Sequence, residues 1–246
     1  GSLEAEYNWF FDQAMQAAKE VGDKYVNDLT KNTGIVPQTE GATIGQLDAE
    51  NPYLAMFGTT DLSGYREVLL WREYSQSLGI VHNVVVMAQE GNYGRGTTRG
   101  MVESFLCQDG LPIYASPLYQ GDETLSDVRA NRDPRLFVFL KEPGQKNVLI
   151  SGNGDHANPV ETYPKILEAN VEHGSPTGYA LRKGNCYDQN QCGNGKNYTA
   201  CPVFRAVEAL LNYMEACYER NGAIDGTADQ YWRAIRARHE GMETDY

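Results

Sequence analysis

The segment from Cys201 to His239 constrains the fold more than any other, because it spells two helices joined by a tight turn. Phe204, Val207, Leu210, Leu211, Met214 and Cys217 recur at helical spacing and form one apolar stripe among Arg205, Glu208, Asn212, Glu215 and Glu219. Pro202 suits a first helical turn, where its missing N–H leaves nothing unsatisfied, and Gly222 suits the left-handed residue past the end. A second helix is expected to open at Thr227-Ala-Asp-Gln230, a capping-box pattern, and to pack through Tyr231, Trp232, Ala234, Ile235 and Ala237. Ala206, Ala209 and Ala216 allow close approach of the pair. Two such helices cannot bury their own apolar faces and need neighbours.

One neighbour is written at the other end of the chain. From Leu3 to about Lys31, Phe10, Phe11, Ala14, Met15, Ala18, Val21, Tyr25 and Val26 keep a 3–4 rhythm that Gly34 and Pro37 end. Between these helices the pattern is mixed. Pro52 to Thr59 reads as one helical turn, and Glu67–Tyr74 and Ile80–Met87 as strands. Thr98–Gln108 and Asp122–Asn131 read as short helices, while Leu136–Leu140, Val148–Ile150 and Thr177–Gly184 read as strands. The fold class expected is mainly α: a tetratricopeptide-like helical scaffold (3–31 and 201–241) carrying a large irregular insertion with short β-strands (35–200), all in one domain over 1–246.

Charge narrows the partners. With 21 basic and 33 acidic residues the net charge is −12, which argues against a nucleic-acid backbone or an anionic lipid surface. The 16 tyrosines and 25 glycines suit either flat hydroxylated ligands or a packed core, and do not decide between them. Among the five cysteines, Cys107 and Cys217 sit in helical patterns as buried thiols; Cys186, Cys192 and Cys201 match no zinc spacing and are open to one loop disulfide or three thiols. Gly1-Ser2 reads as a remnant of recombinant expression, so targeting cannot be judged from the N-terminus.

Catalytic patterns are weak. Gln89–Gly100 holds glycines around Tyr93 and Arg95 but lacks the spacing of a phosphate or dinucleotide loop. Asp155-His156 reads as a surface pair, Asn153, Asp155 and Asn158 fall short of a calcium loop, and no Gly-x-Ser-x-Gly elbow occurs. No acidic pair stands in a setting that a glycosidase would need. The chain is read as a non-enzyme without metal or cofactor.

Four stretches in order resemble the SusD/RagB family of outer-membrane nutrient-binding lipoproteins of Bacteroidetes: Arg132-Asp-Pro-Arg-Leu136, Thr177-Gly-Tyr-Ala-Leu-Arg-Lys183, Phe204 to Ala216, and Ile235-Arg-Ala-Arg238. Glu67-Val-Leu-Leu and Val102 to Gly110 also fit that family's central region. The resemblance implies non-catalytic capture of a glycan at the cell surface and delivery to a SusC-like TonB-dependent transporter. A full member is considerably longer, begins with a lipidated Cys and continues past the Ile-Arg-Ala-Arg segment, so the chain is read as a fragment or a truncated product. An oligopeptide-binding member of the same family, or a helical-repeat scaffold for proteins, is the alternative.

The family's ligand residues vary, so candidates come from local chemistry. Asn92, Tyr93 and Arg95 lead, with a ring to stack on a sugar face and polar groups for its hydroxyls. Trp71 and Tyr74 lie on the neighbouring strand, Trp71 being more a core position than a platform, and Tyr187 and Tyr198 come second from the Asn-rich loop. Arg132, Asp133 and Arg135 are expected to form a structural ion cluster.

Overall fold

The computed structural model describes residues 2–36, 51–90, 96–154, 158–167 and 174–245. Helix α1 (Leu3–Tyr25) is capped by the Ser2 side chain and followed by Val26 in a helical conformation. It packs along α7 (Ala206–Asn221), and α8 (Gly226–Ala237) closes the trio. Their core joins Ala18 and Val26 to Leu210, Tyr213, Cys217, Ala228 and Tyr231. Gly22 is placed where the Tyr231 ring crosses α1: an added Cβ would lie 2.4 Å from the Tyr231 hydroxyl oxygen. That hydroxyl donates to Asp23 at 2.7 Å. The first turns of α1 differ from the expected stripe, since Trp9 and Phe10 stack edge to face at 5.0 Å yet stay exposed.

Two details of the hairpin are corrected. Pro202 belongs to strand β2 (Cys201–Arg205), which pairs antiparallel with β1 (Val68–Arg72), so the helix starts only at Ala206. In a two-stranded sheet both strands are edges, and a residue without an N–H is tolerated there. The second cap is Asp225, whose side chain accepts from the Ala228 N–H at 2.8 Å, so the helix begins ahead of the expected Thr227–Gln230 box. Gly222 takes the left-handed conformation at φ 68°.

The middle of the chain departs further. Helix α2 (Pro52–Ala55) is the expected turn. Ile80–Met87 is not a strand: Ile80 makes one bridge to Ser75, and α3 (Val84–Glu90) comes after it. Three consecutive valines disfavour a helix only slightly, and burial of Val85 and Val86 against Val148 and Cys192 outweighs that preference. Helices α4 (Arg99–Ser104), capped by Thr98, and α5 (Leu125–Arg129), with a capping box at Thr124 and Asp127, fall within their expected ranges. The stretch at Leu136–Leu140 is α6 (Pro134–Phe139), not a strand. Asp133 accepts from the Arg135 N–H and Pro134 occupies the first turn, so Asp-Pro is a helix start. Thr177–Gly184 is likewise no strand. Gly178 (φ 75°) and Gly184 (φ 91°) turn the chain at each end, leaving one bridge between Leu181 and Leu140. Ile150 is reduced to a single bridge with Asp188. Cys107 is buried beyond the end of α4 rather than on a helix, and all five cysteines are thiols.

Glu67 ties the two regions together. It is fully buried and accepts from the Thr30 N–H, from Arg205 Nη1 at 3.1 Å and from Arg238 Nη2 at 2.8 Å. Beside it, Asn32 bonds the backbone of Arg238 and Glu240, and its side-chain amide meets His239 Nδ1 at 3.2 Å.

Candidate functional site

A cavity of about 840 Å³ opens between α3, the turn at 181–184 and the chain leading into β2. Tyr74 stands at its wall as a half-buried ring, set edge to face against His82 with centroids 4.4 Å apart. His82 is held from both sides: its Nδ1 accepts from the Val84 N–H, and its Nε2 lies 2.8 Å from the Thr199 carbonyl oxygen. A ring nitrogen that accepts at Nδ1 leaves the proton on Nε2, so His82 is fixed as the tautomer that donates to Thr199. Phe57 supplies a second ring, with the Lys183 ammonium 4.5 Å from its centroid. The Lys183 pKa is lowered, first by lost hydration and then by the Arg205 and Arg135 guanidiniums, although the side chain keeps an exposed surface. The cavity thus offers ring faces and apolar walls with a few directed polar groups, the usual composition of a ligand pocket.

The residues chosen from sequence separate here. Tyr74 lines the cavity. Asn92, Tyr93 and Arg95 lie outside the described residues, while Gly96, next in the chain, is on the wall. Trp71 is half-buried against the cluster of Tyr53, Met56, Leu62 and Ala200. Tyr198 lines a smaller cleft of about 240 Å³ with Asn185 and Gln191. Tyr187 must be withdrawn as a ligand contact. It is fully buried among Val36, Leu54 and Val138, leaving no ring face for a sugar. Phe57, His82, Thr199 and Lys183 carry no signal in the sequence that would single them out; only the Arg-Lys pair within 177–183 points toward the last.

The Arg132–Arg135 segment works on the backbone. Arg132 is buried, its pKa lowered by desolvation, and its Nη2 donates to the carbonyls of Val102 (2.8 Å) and Phe105 (2.7 Å). Burial alone would raise the Asp133 carboxyl, but the Arg135 guanidinium at 2.6 Å and the Arg135 N–H leave it below the usual carboxylate range. Arg135 also lines a second cavity of about 660 Å³ that shares Leu181 and Lys183 with the first.

A helical trio bearing an irregular, cavity-forming insertion is the architecture seen in a known class of binding proteins. Residues 71–244 match the model of the SusD family, and the chain belongs to that family. Its fold is similar to that of a SusD-like carbohydrate binding protein from Bacteroides fragilis, with a TM-score of 0.53 at 19% identity. The likeness covers 96% of this chain and 44% of that one, so the chain spans less than half the length of that protein. No curated protein matches it.

Proposed function

We propose that this chain is part of a cell-surface protein that captures a glycan without catalysis and passes it to a SusC-like TonB-dependent transporter, the whole protein being held at the outer membrane by a lipid anchor. The observation that carries the reading is the Tyr74–His82 ring pair at the wall of the 840 Å³ cavity, in a chain of the SusD family. A flat sugar face stacks on such a ring, and Lys183, which keeps an exposed surface, stands near to meet hydroxyls. None of the described residues lining this cavity is Asp or Glu, whereas hydrolysis of a glycosidic bond uses a carboxylate pair. The carbohydrate binding ascribed to the Bacteroides fragilis protein supports the same ligand class. Among the described residues, no helix is long and apolar enough to cross a membrane.

Native electrophoresis through gels containing starch, fructan, xylan, pectin or mucin glycans tests this. Retardation by at least one polysaccharide, without release of reducing sugar, is expected. Tyr74→Ala should weaken it roughly fivefold, the loss of about 1 kcal/mol of ring contact. Release of reducing sugar, or binding of a peptide digest with no glycan, overturns the reading.

A further inference from the structure

The two larger cavities meet at a partition of rings, and the charges along it do not balance. Phe57, on the 840 Å³ side, and Phe139, on the 660 Å³ side, pack edge to face with centroids 5.5 Å apart. Lys183 lines both cavities and is exposed, its ammonium 4.5 Å from the centre of the Phe57 ring and 5.2 Å from that of Phe139. Among the described residues these rings are its partners; no carboxylate pairs with it and no acceptor bonds it. Arg205 and Arg135 share the wall of the second cavity with it, their side chains 25% and 40% exposed. Arg205 gives Nη1 to Glu67, and Arg135 gives Nε and Nη2 to Asp133, so Arg205 Nη2 and Arg135 Nη1 have no acceptor among the described residues. Arg236, also on that wall, donates to the Glu243 carbonyl oxygen rather than to a carboxylate. None of the described residues lining either cavity is Asp or Glu.

The carboxylates behind the wall do not make up the difference. Glu67 and Asp133 are both buried, and Glu67 is shared between Arg205 and Arg238. Arg135, Arg205, Arg238 and Lys183 thus bring four positive charges against the two that Glu67 and Asp133 answer. Lost hydration, then Arg205 and Arg135, push the Lys183 pKa down with no carboxylate opposing them. A sugar hydroxyl would accept a hydrogen bond here but leave the excess charge in place, whereas an anionic group answers both. The whole chain carries −12, so an acidic ligand is favoured where the local sign is reversed, as it is along this wall. We infer that Lys183, with Arg205 and Arg135, binds the anionic substituent of an acidic glycan, a carboxylate or a sulfate ester, at the wall the two cavities share. The inference rests on the glycan reading above and gives it a ligand class. Of the polysaccharides named there, pectin and sialylated mucin glycans carry such a group, and starch and fructan do not.

Calorimetric titration of the intact chain tests this with polygalacturonate, hyaluronan and alginate, each beside its carboxyl-reduced form, and with chondroitin sulfate beside its desulfated form. At least one acidic polymer is expected to bind, and removal of its carboxylates or sulfates to weaken it roughly tenfold or more, the arm that responds identifying the group. Lys183→Gln should weaken the acidic polymer about tenfold, the gap between a charge-assisted and a neutral hydrogen bond, while Lys183→Arg keeps most of the affinity. Equal binding of an acidic polymer and its neutralised form overturns the inference, and so does Lys183→Gln binding as tightly as Lys183→Arg. The ligand comparison needs no variant and stays decisive if Lys183→Gln folds poorly. Failure of every acidic polymer to bind also overturns the inference; retardation of the chain by a neutral polysaccharide would then leave the glycan reading standing, and absence of any retardation would remove both.

Discussion

The helical trio and the middle of the chain solve the same problem by opposite means. In α1, α7 and α8 the backbone satisfies itself, and burial is left to apolar side chains around Leu210 and Tyr231. Among the described residues of 51–200 the helices are short, and buried charged side chains take over work that regular structure does elsewhere. Arg132 ties off the carbonyls near the end of α4. Arg182 donates to Leu140, and Arg129 stacks on Phe137 at 3.9 Å while pairing with Glu142 and donating to the Phe137 carbonyl. Desolvation, with Arg182 nearby, lowers the Arg129 pKa to about 10 against the opposing pull of Glu142. A region held this way has a shape set by many individual hydrogen bonds, and it can form clefts where a helix bundle would fill them.

The seam between the regions should be the most sensitive point. Glu67→Ala removes the partner of Arg238, Arg205 and the Thr30 N–H at once, leaving buried guanidinium uncompensated. We expect a loss of about 3–5 kcal/mol in urea unfolding. A loss comparable to that of a surface substitution would mean that the two regions do not depend on this group.

His239 probes the same seam by pH. Burial first, then Arg135, with Arg238 and Arg236 adding and Asp133 opposing, lowers its pKa from 6.5 to about 3. The folded state holds the ring neutral, so stability is retained above pH 6.5 and lost as pH falls toward 3. At pH 5 the loss from this residue is about 2 kcal/mol, and a His239→Gln variant should show a flatter pH profile of unfolding. Parallel profiles would sink the assignment.

Within the trio the effects are smaller. Gly22→Ala gains helix propensity of about 1 kcal/mol but meets the Tyr231 ring. Overpacking should win, with a net loss of about 1–2 kcal/mol and a lower Tm; a raised Tm would show that the ring can move aside. Asp225→Ala should cost about 1 kcal/mol as a lost cap, and Thr227→Ala less. The reverse order, measured by thermal unfolding, would restore the sequence-based cap.

The same division governs what can be read from sequence. Val207, Leu210 and Cys217 of the expected stripe and the stop at Gly222 are legible because an amphipathic helix repeats its information every turn, whereas Leu211 and, on β2, Phe204 are exposed. The Asp133-Pro134 start is written in only two residues and invites a strand reading, since the restriction that proline imposes acts on the residue before it and leaves the residues after it free to be helical. The valines of α3 take their conformation from neighbours distant in sequence. For the site, an aromatic ring in an Asn-rich loop looks exposed, which suggests Tyr187. Its backbone adopts φ 58° and its N–H donates to Asn185 Oδ1 at 2.7 Å, placing the ring in the core. Tyr74 is legible as a ring near a glycine-rich loop, but the pairing with His82 depends on the turn at 76–79, which periodicity does not encode.

The pairing of β1 with β2 has an evolutionary consequence. Arg72 lies opposite Cys201, so residues 73–200 leave and rejoin the helical frame at one neck. The entropy of closing a long excursion grows only logarithmically, about 0.6 kcal/mol for each doubling of length. Lengthening or shortening of its surface turns therefore costs the frame little, provided the two strands and Glu67 still meet and Asp133 and Arg135 keep their place beside His239. The frame acts as a socket. Surface turns of the excursion can change, one insertion or deletion at a time, while the helical trio keeps its own core.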